Sequence, residues 1–138
     1  MTELIQQLVN EHVLLDKELQ DIMKPGISAQ EKHEKILQAK NLIIRHIEHE
    51  DKELYTVLNR AASSNPVLEQ TLEIFAVEMK EITEKVFHFF NTFENEMGES
   101  FQFSREFGKL VGLLKHRIRR EESILYEEYE KLFRVKQR

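Results

Sequence analysis

The chain contains no cysteine, which excludes disulfides, thiolate metal sites and a cysteine nucleophile. Glycine and proline are scarce, at 4 and 2 residues, so hairpins and long loops have little to be built from. There is no long apolar run and no signal peptide. Met1-Thr2-Glu3 leads straight into an amphipathic pattern, and a cytoplasmic protein with no membrane contact is the expectation. Excess positive charge is missing as well: a net charge of -5 and a pI near 5.7 give no reason to expect nucleic acid or an acidic membrane as partner. The basic end, Arg134-Val135-Lys136-Gln137-Arg138, reads as compensation of a helix macrodipole. What is present is 41% hydrophobic and 33% charged residues in a chain of 138, the balance of amphipathic helices around one core. One domain spanning residues 1–138 is expected.

The few breaks in the pattern are well placed. Pro25-Gly26 ends a first helical stretch, and Ser28-Ala29-Gln30-Glu31 reads as a capping box opening the second. Ala62-Ser63-Ser64 closes that helix, Asn65 is a natural N-cap, and Pro66 suits the first helical position of the third. Gly98 and Ser100 mark the last turn. The expected helices run at about 2–24, 28–61, 66–97 and 100–134. Short connections make neighbours antiparallel, so the expected fold is an all-α, up-down-up-down four-helix bundle. Each helix carries an apolar stripe at helical spacing. The stripes are Ile5, Leu8, Leu15, Leu19 and Met23; Ile36, Ile43, Ile47, Leu54 and Leu58; Phe75, Met79, Ile82, Val86, Phe89 and Phe93; and Phe107, Leu110, Leu114, Ile118, Leu125 and Leu132.

The second and fourth helices are related to each other. His46-Ile47-Glu48-His49-Glu50-Asp51-Lys52-Glu53-Leu54-Tyr55 lines up with Arg117-Ile118-Arg119-Arg120-Glu121-Glu122-Ser123-Ile124-Leu125-Tyr126. Leu8, Glu11, His12 and Leu15 match Phe75, Glu78, Met79 and Ile82 more weakly, so one helix pair reads as duplicated. The repeat brings His12, His46 and Glu50 of the first half opposite Met79, Arg117 and Glu121 of the second. At roughly 100° per residue, each of the six falls on the apolar side of its own helix. A polar group in a core stripe needs a partner, because burying it alone costs several kcal/mol. The polar residues are therefore expected to form one cluster. His88 and His116 fall off the stripes, His33 and His49 sit at the margins of one, and all four read as surface histidines.

The histidine of Glu11-His12-Val13-Leu14-Leu15, the H-x-x-x-E from His46 to Glu50 and the Glu-Glu-x-x-Leu-Tyr of the fourth helix resemble the hemerythrin-like, or HHE cation-binding, family. The resemblance covers nearly the whole chain. It implies a hemerythrin-like bundle around a pair of non-haem irons, held by histidines and bridged by carboxylates, with oxygen binding, iron handling, sensing or redox repair as associated roles. Imidazole suits iron, carboxylates lower the net charge of the site, and i, i+4 spacing aims both inward. Carried over, the metal ligands are His12, His46, Glu50 and Glu121.

Two ligand positions of that family are replaced. Met79 is a thioether, a poor partner for iron, and Arg117 opens the H-x-x-x-E of the fourth helix with a permanent cation that cannot coordinate. Phe75 stands where some members carry a further histidine. The guanidinium is expected to take over a metal's charge by pairing with Glu50 and Glu121, and with Asp16 one turn beyond His12. An alternative stays open in His116-Arg117-Ile118-Arg119-Arg120-Glu121, whose longer H-x-x-x-x-E step would bring His116 inward if a π-bulge intervened. One iron could then bind.

The expectation is an incomplete centre, with no ion or one, in a sensing, regulatory or protein-interaction role rather than in an enzyme. The alternatives are an iron- or oxygen-binding protein using His116, a di-iron redox enzyme, and a bundle whose buried polar residues only set helix register. Phe87 and Phe90 widen the apolar arc of the third helix, with Phe101 and Phe103 following the turn. That side is the expected surface for self-association or a protein partner.

Overall fold

Thr2 and Ser28 stand in extended backbone, and each turns its hydroxyl onto the amide three residues ahead, Ile5 and Glu31 respectively. These caps satisfy amide groups that the first turn of a helix leaves free. Asn65 does the same at the third helix, its Oδ1 accepting from the Leu68 amide at 3.1 Å with Pro66 in first position. Gly26, at φ 91°, makes the turn before Ser28 in a conformation that side chains disfavour. The computed structural model describes residues 1–93 and 101–134. The turn expected at Gly98 and Ser100, and residues 135–138, lie outside them.

Four helices result, with no strand among the described residues. α1 is Glu3–Ile22. α2 is α-helical over Ala29–His49, π-helical over Glu50–Leu54 and α-helical again over Tyr55–Ala62. α3 is Pro66–Phe93. α4 repeats the course of α2, with Phe101–Arg120, a π turn at Glu121–Leu125 and Tyr126–Phe133. α1 packs along α2, and α3 along α4. Among the described residues no helix is long and apolar enough to cross a membrane.

The apolar interior is divided in two. One cluster contains Leu15, Leu19, Ile36, Ile43, Val86 and Leu114, and the other contains Ile5, Leu8, Leu54, Leu58, Phe75 and Leu125. On α1, α2 and α4 the residues between these clusters are polar and buried: His12, His46 with Glu50, and Arg117 with Glu121. A charged belt thus lies between two hydrophobic caps.

Several expected positions differ. Ile22 is buried at the end of α1 and Met23 is exposed. Leu132 is exposed, while Tyr126 and Tyr129 are buried in its place. The wider π turn advances the phase of everything after it, so a strict 3.6-residue count misplaces the end of α4. Phe90 is 1% exposed and Phe87 half-buried, so the surface expected on that side of α3 loses its main aromatic to the core. Phe103 is also fully buried, and Phe101 stands in solvent.

Candidate metal centre

His12, one turn from Leu8 and Leu15, is carried inward by the apolar stripe of α1, and His46 and Glu50 ride the stripe of α2 in the same way. The ring edge of His12 faces α4, with Nε2 3.0 Å from Oε1 of Glu121. Nε2 of His46 lies 3.3 Å from Oε2 of Glu50 and 3.8 Å from Oε1 of Glu121. One donor atom from each of His12, His46, Glu50 and Glu121 can be chosen so that all lie within 4.8 Å of one another. Two imidazole nitrogens and two carboxylate oxygens, gathered from three helices, are a donor set suited to a first-row metal ion such as iron.

The outer edges of both rings are held. Nδ1 of His12 lies 2.7 Å from Oε2 of Glu122, and Nδ1 of His46 lies 2.6 Å from Oε1 of Glu11. A carboxylate only accepts, so each Nδ1 carries a proton, and each Nε2 faces the central carboxylates. A metal-bound histidine needs its outer nitrogen protonated and held in this way, with the carboxylate fixing the ring. The second oxygen of Glu11 takes Nδ1 of His49 at 2.6 Å, and Nε2 of His49 meets Glu53 at 2.6 Å. Nε2 of His46 itself is buried and has no aligned hydrogen-bond partner. A buried polar nitrogen left in that condition is costly unless something else satisfies it. The residues present therefore fit one ion at this point. A cavity of about 30 Å³ adjoins the four donors and is closed by Met79 and Ile82 of α3. That is about the volume one water occupies, which is room for a single small occupant.

Arg117 fills the other side. Its Nε donates to Oε2 of Glu121 at 3.1 Å, Nη1 to the Phe75 carbonyl at 3.4 Å and Nη2 to the Tyr55 hydroxyl at 3.2 Å. The guanidinium also lies 4.7 Å from the centroid of the Phe75 ring, with Arg120 at 4.6 Å and ion-paired to Glu78. Tyr126 closes the site between the halves, its hydroxyl donating to Oε2 of Glu50 at 2.7 Å and lying 3.2 Å from Nε2 of His12.

The electrostatics follow from this crowding. Burial alone would lower the His46 pKa, but the Glu121 and Glu50 carboxylates outweigh it and push it up to about 11. Burial would raise Glu121, yet His12, His46 and Arg117 together hold it well below the usual carboxylate range. Glu50 moves up, through burial and the charge of Glu121, against the pull of His46 and Tyr126. Burial and the same carboxylates raise the Tyr126 phenol. Without an ion, the charges of Glu50 and Glu121 are thus met by Arg117 and a protonated His46.

The positions named from the sequence divide as follows. His12, His46, Glu50, Arg117 and Glu121 are all buried in one cluster. Met79 is half-buried at the wall of the cavity. Asp16 does not join the ion cluster; it sits at the margin of α1 and accepts from Gln20 at 2.8 Å. Among the described carboxylates Arg117 consequently pairs with Glu121 alone and does not bridge it to Glu50. His116 is exposed. A π turn is present in α4, but it begins at Glu121, after His116, and so leaves the phase of His116 unchanged.

The sequence reading missed Glu11, Glu122, Tyr55 and Tyr126. Tyr126 follows Glu121 by five residues, which in an α-helix points it well away. In the π turn the Tyr126 amide donates to the Glu121 carbonyl, and Tyr55 donates likewise to Glu50, so each tyrosine returns over its carboxylate. The recurrence of Leu-Tyr in both halves was the available signal. No protein-family model matches the chain, and neither a curated protein nor a solved structure does.

Proposed function

We propose that the chain is a hemerythrin-like up-down-up-down bundle that binds a single non-haem iron ion and serves a sensing or regulatory role. Short connections between helices that pack in sequential pairs support the topology. The reading is carried by one observation: the inward Nε2 atoms of His12 and His46 converge on Glu50 and Glu121, while both Nδ1 atoms are anchored by outer carboxylates. Bound there, iron supplies a concentrated positive charge and a Lewis-acid centre. His12 and His46 would hold it through nitrogen, and Glu50 and Glu121 through oxygen and charge. Arg117 takes the place of a second ion, since a fixed cation hydrogen-bonded to Glu121 repels another at close range.

A regulatory role is favoured over catalysis by the space. The donors open on a cavity of about 30 Å³, too small for an organic substrate. Occupancy itself would then be the signal: His46 would give up its Nε2 proton to solvent, and His12, His46, Glu50 and Glu121 would tie α1, α2 and α4 together. The test is a thermal melt with and without Fe(II) under anaerobic conditions. The wild type is expected to gain stability with iron by mass action, and His46→Gln to gain none. Equal melting temperatures with and without iron in the wild type would contradict the proposal.

A second reading is favoured by Arg117 and the proton on His46, which already balance both carboxylates. In it the belt only sets the register of the helices, and no ion binds. The same melts separate the two.

A further inference from the structure

Resting on the single-ion reading, one buried oxygen in the belt remains to be explained. Tyr126 is 2% exposed, and its hydroxyl lies 2.7 Å from Oε2 of Glu50 and 3.2 Å from Nε2 of His12. Those two atoms belong to different helices and are both among the converging donors. The phenol oxygen therefore touches two of the four donors directly, from the side of the Leu8 and Leu54 cluster and not from the cavity. Glu11 and Glu122 differ in this respect, since they reach only the outer Nδ1 edges of the rings. The backbone is arranged to put Tyr126 there, because the π turn swings residue 126 back over the carbonyl of Glu121. The ring of Tyr126 is stacked parallel to His12, with centroids 5.5 Å apart, which fixes the direction of the oxygen.

Charge balance gives the oxygen a task. Arg117 contributes a permanent positive charge beside the donors, and Glu50 and Glu121 supply only two negative ones. A trivalent ion would leave the buried cluster with a net charge of +2, and uncompensated buried charge is strongly disfavoured. A third anionic donor halves that excess. The Tyr126 hydroxyl is the neutral oxygen placed to become one, and hard oxygen donors suit a ferric ion.

We propose that Tyr126 is a fifth protein ligand, supplying a phenolate oxygen to a ferric ion held by His12, His46, Glu50 and Glu121. On binding, the O–H bond of Tyr126 breaks, an iron–oxygen bond forms and the proton passes to bulk water. No electron moves, because the ion enters ferric and stays ferric. Tyr55, the counterpart in the other half, cannot act in this way, because its oxygen is taken by Nη2 of Arg117.

The experiment loads the full chain with ferric ion, delivered as its nitrilotriacetate complex, and follows visible absorption, resonance Raman scattering and iron retained per chain. The expected result is a phenolate-to-iron charge-transfer band in the visible, with tyrosinate vibrations enhanced on exciting into it. Tyr126→Phe is expected to lose band and vibrations and at least about tenfold in ferric affinity, while Tyr129→Phe keeps both. The Raman signature of the wild type stands even if Tyr126→Phe folds poorly. Bound iron without the band, or a band that survives Tyr126→Phe, overturns the ligand role and leaves the single-ion reading standing. Retention of Fe(II) but not of ferric ion does the same. Retention of neither ion overturns both.

Discussion

The two halves of the molecule carry the same backbone device and fill it differently. In α2 the buried step is His46 to Glu50, followed at once by a π turn and Tyr55; in α4 it is Arg117 to Glu121, followed by a π turn and Tyr126. The tyrosines cross over. Tyr126 of the second half donates to Glu50 of the first, and Tyr55 of the first accepts from Arg117 of the second. One half thus presents an imidazole whose Nε2 can exchange its proton, and the other a guanidinium whose charge is permanent. The difference teaches that one backbone device can bring either an imidazole or a guanidinium to the same buried carboxylates. The guanidinium sets a permanent positive charge against Glu121, where the other half sets His46 against Glu50.

The largest effect is expected from breaking the arginine half. Arg117→Ala leaves Glu121 without its fixed cation, empties the space beside Phe75 and strands the Tyr55 hydroxyl. In the metal-free protein the expected loss is about 3–5 kcal/mol in denaturant melts. Glu121→Gln should cost less, because the amide carbonyl still accepts from Arg117 and Glu50 keeps its charge. Equal, small losses from both would mean that Arg117 is not buried among these carboxylates.

Making the halves alike sharpens the comparison. Met79→His combined with Arg117→His gives the second half imidazoles where it has a thioether and a cation. The metal-free double mutant is expected to be less stable than wild type, since its carboxylates have lost a counterion. Fe(II) at about a hundred times its dissociation constant should restore roughly 2.7 kcal/mol for the added ion. Met79→His alone should bind no additional iron, because Arg117 remains.

The imidazole half is expected to show itself in pH dependence. His46 binds its proton more tightly folded than unfolded, with a pKa up at about 11 against 6.5. Its contribution to the metal-free protein is therefore complete below about 6.5 and is lost as pH rises toward 11. Melts between pH 7 and 10 should show stability falling by up to about 1.4 kcal/mol per pH unit, with the slope removed in His46→Gln. At the acid end the sign reverses. Glu121, held low, contributes fully above the ordinary value of 4.5 and loses that contribution as pH falls toward its folded pKa. Iron on Nε2 of His46 should abolish the alkaline slope, since no proton is left there to lose.

The smallest effect is expected at His116, the alternative ligand suggested by its five-residue step to Glu121. It is exposed, so His116→Ala should change stability by less than about 0.5 kcal/mol and leave iron retention unchanged.

Much of this arrangement could be read before any coordinates. Helical phase carried His12, His46, Glu50, Arg117 and Glu121 to the apolar side, and the repeat paired them across the bundle; the structure buries all five together. Ser28, Asn65 and Pro66 marked helix starts through local chemistry that acts within a single turn. The π turns were not legible in position, because a π turn inside an α-helix has no composition of its own. Missing them hid Tyr126 and misplaced Leu132, both of which depend on the added residue in the turn. Asp16 failed for a different reason: at the margin of a stripe, a residue one turn from a buried one can still pair along its own helix, as it does with Gln20. Glu11 and Glu122 reach the histidines across helix boundaries, and one-dimensional phase carries no information on such contacts.

The central claim is that the imidazole half holds an ion and the arginine half excludes a second. The direct measurement is iron per chain after anaerobic Fe(II) loading and removal of unbound metal, with X-ray absorption at the iron edge to read its neighbours. One iron per chain is expected, ligated by nitrogen and oxygen, with no second iron within bridging distance. Two irons per chain with an iron–iron scattering path would contradict it from one side, and a chain that retains none would contradict it from the other.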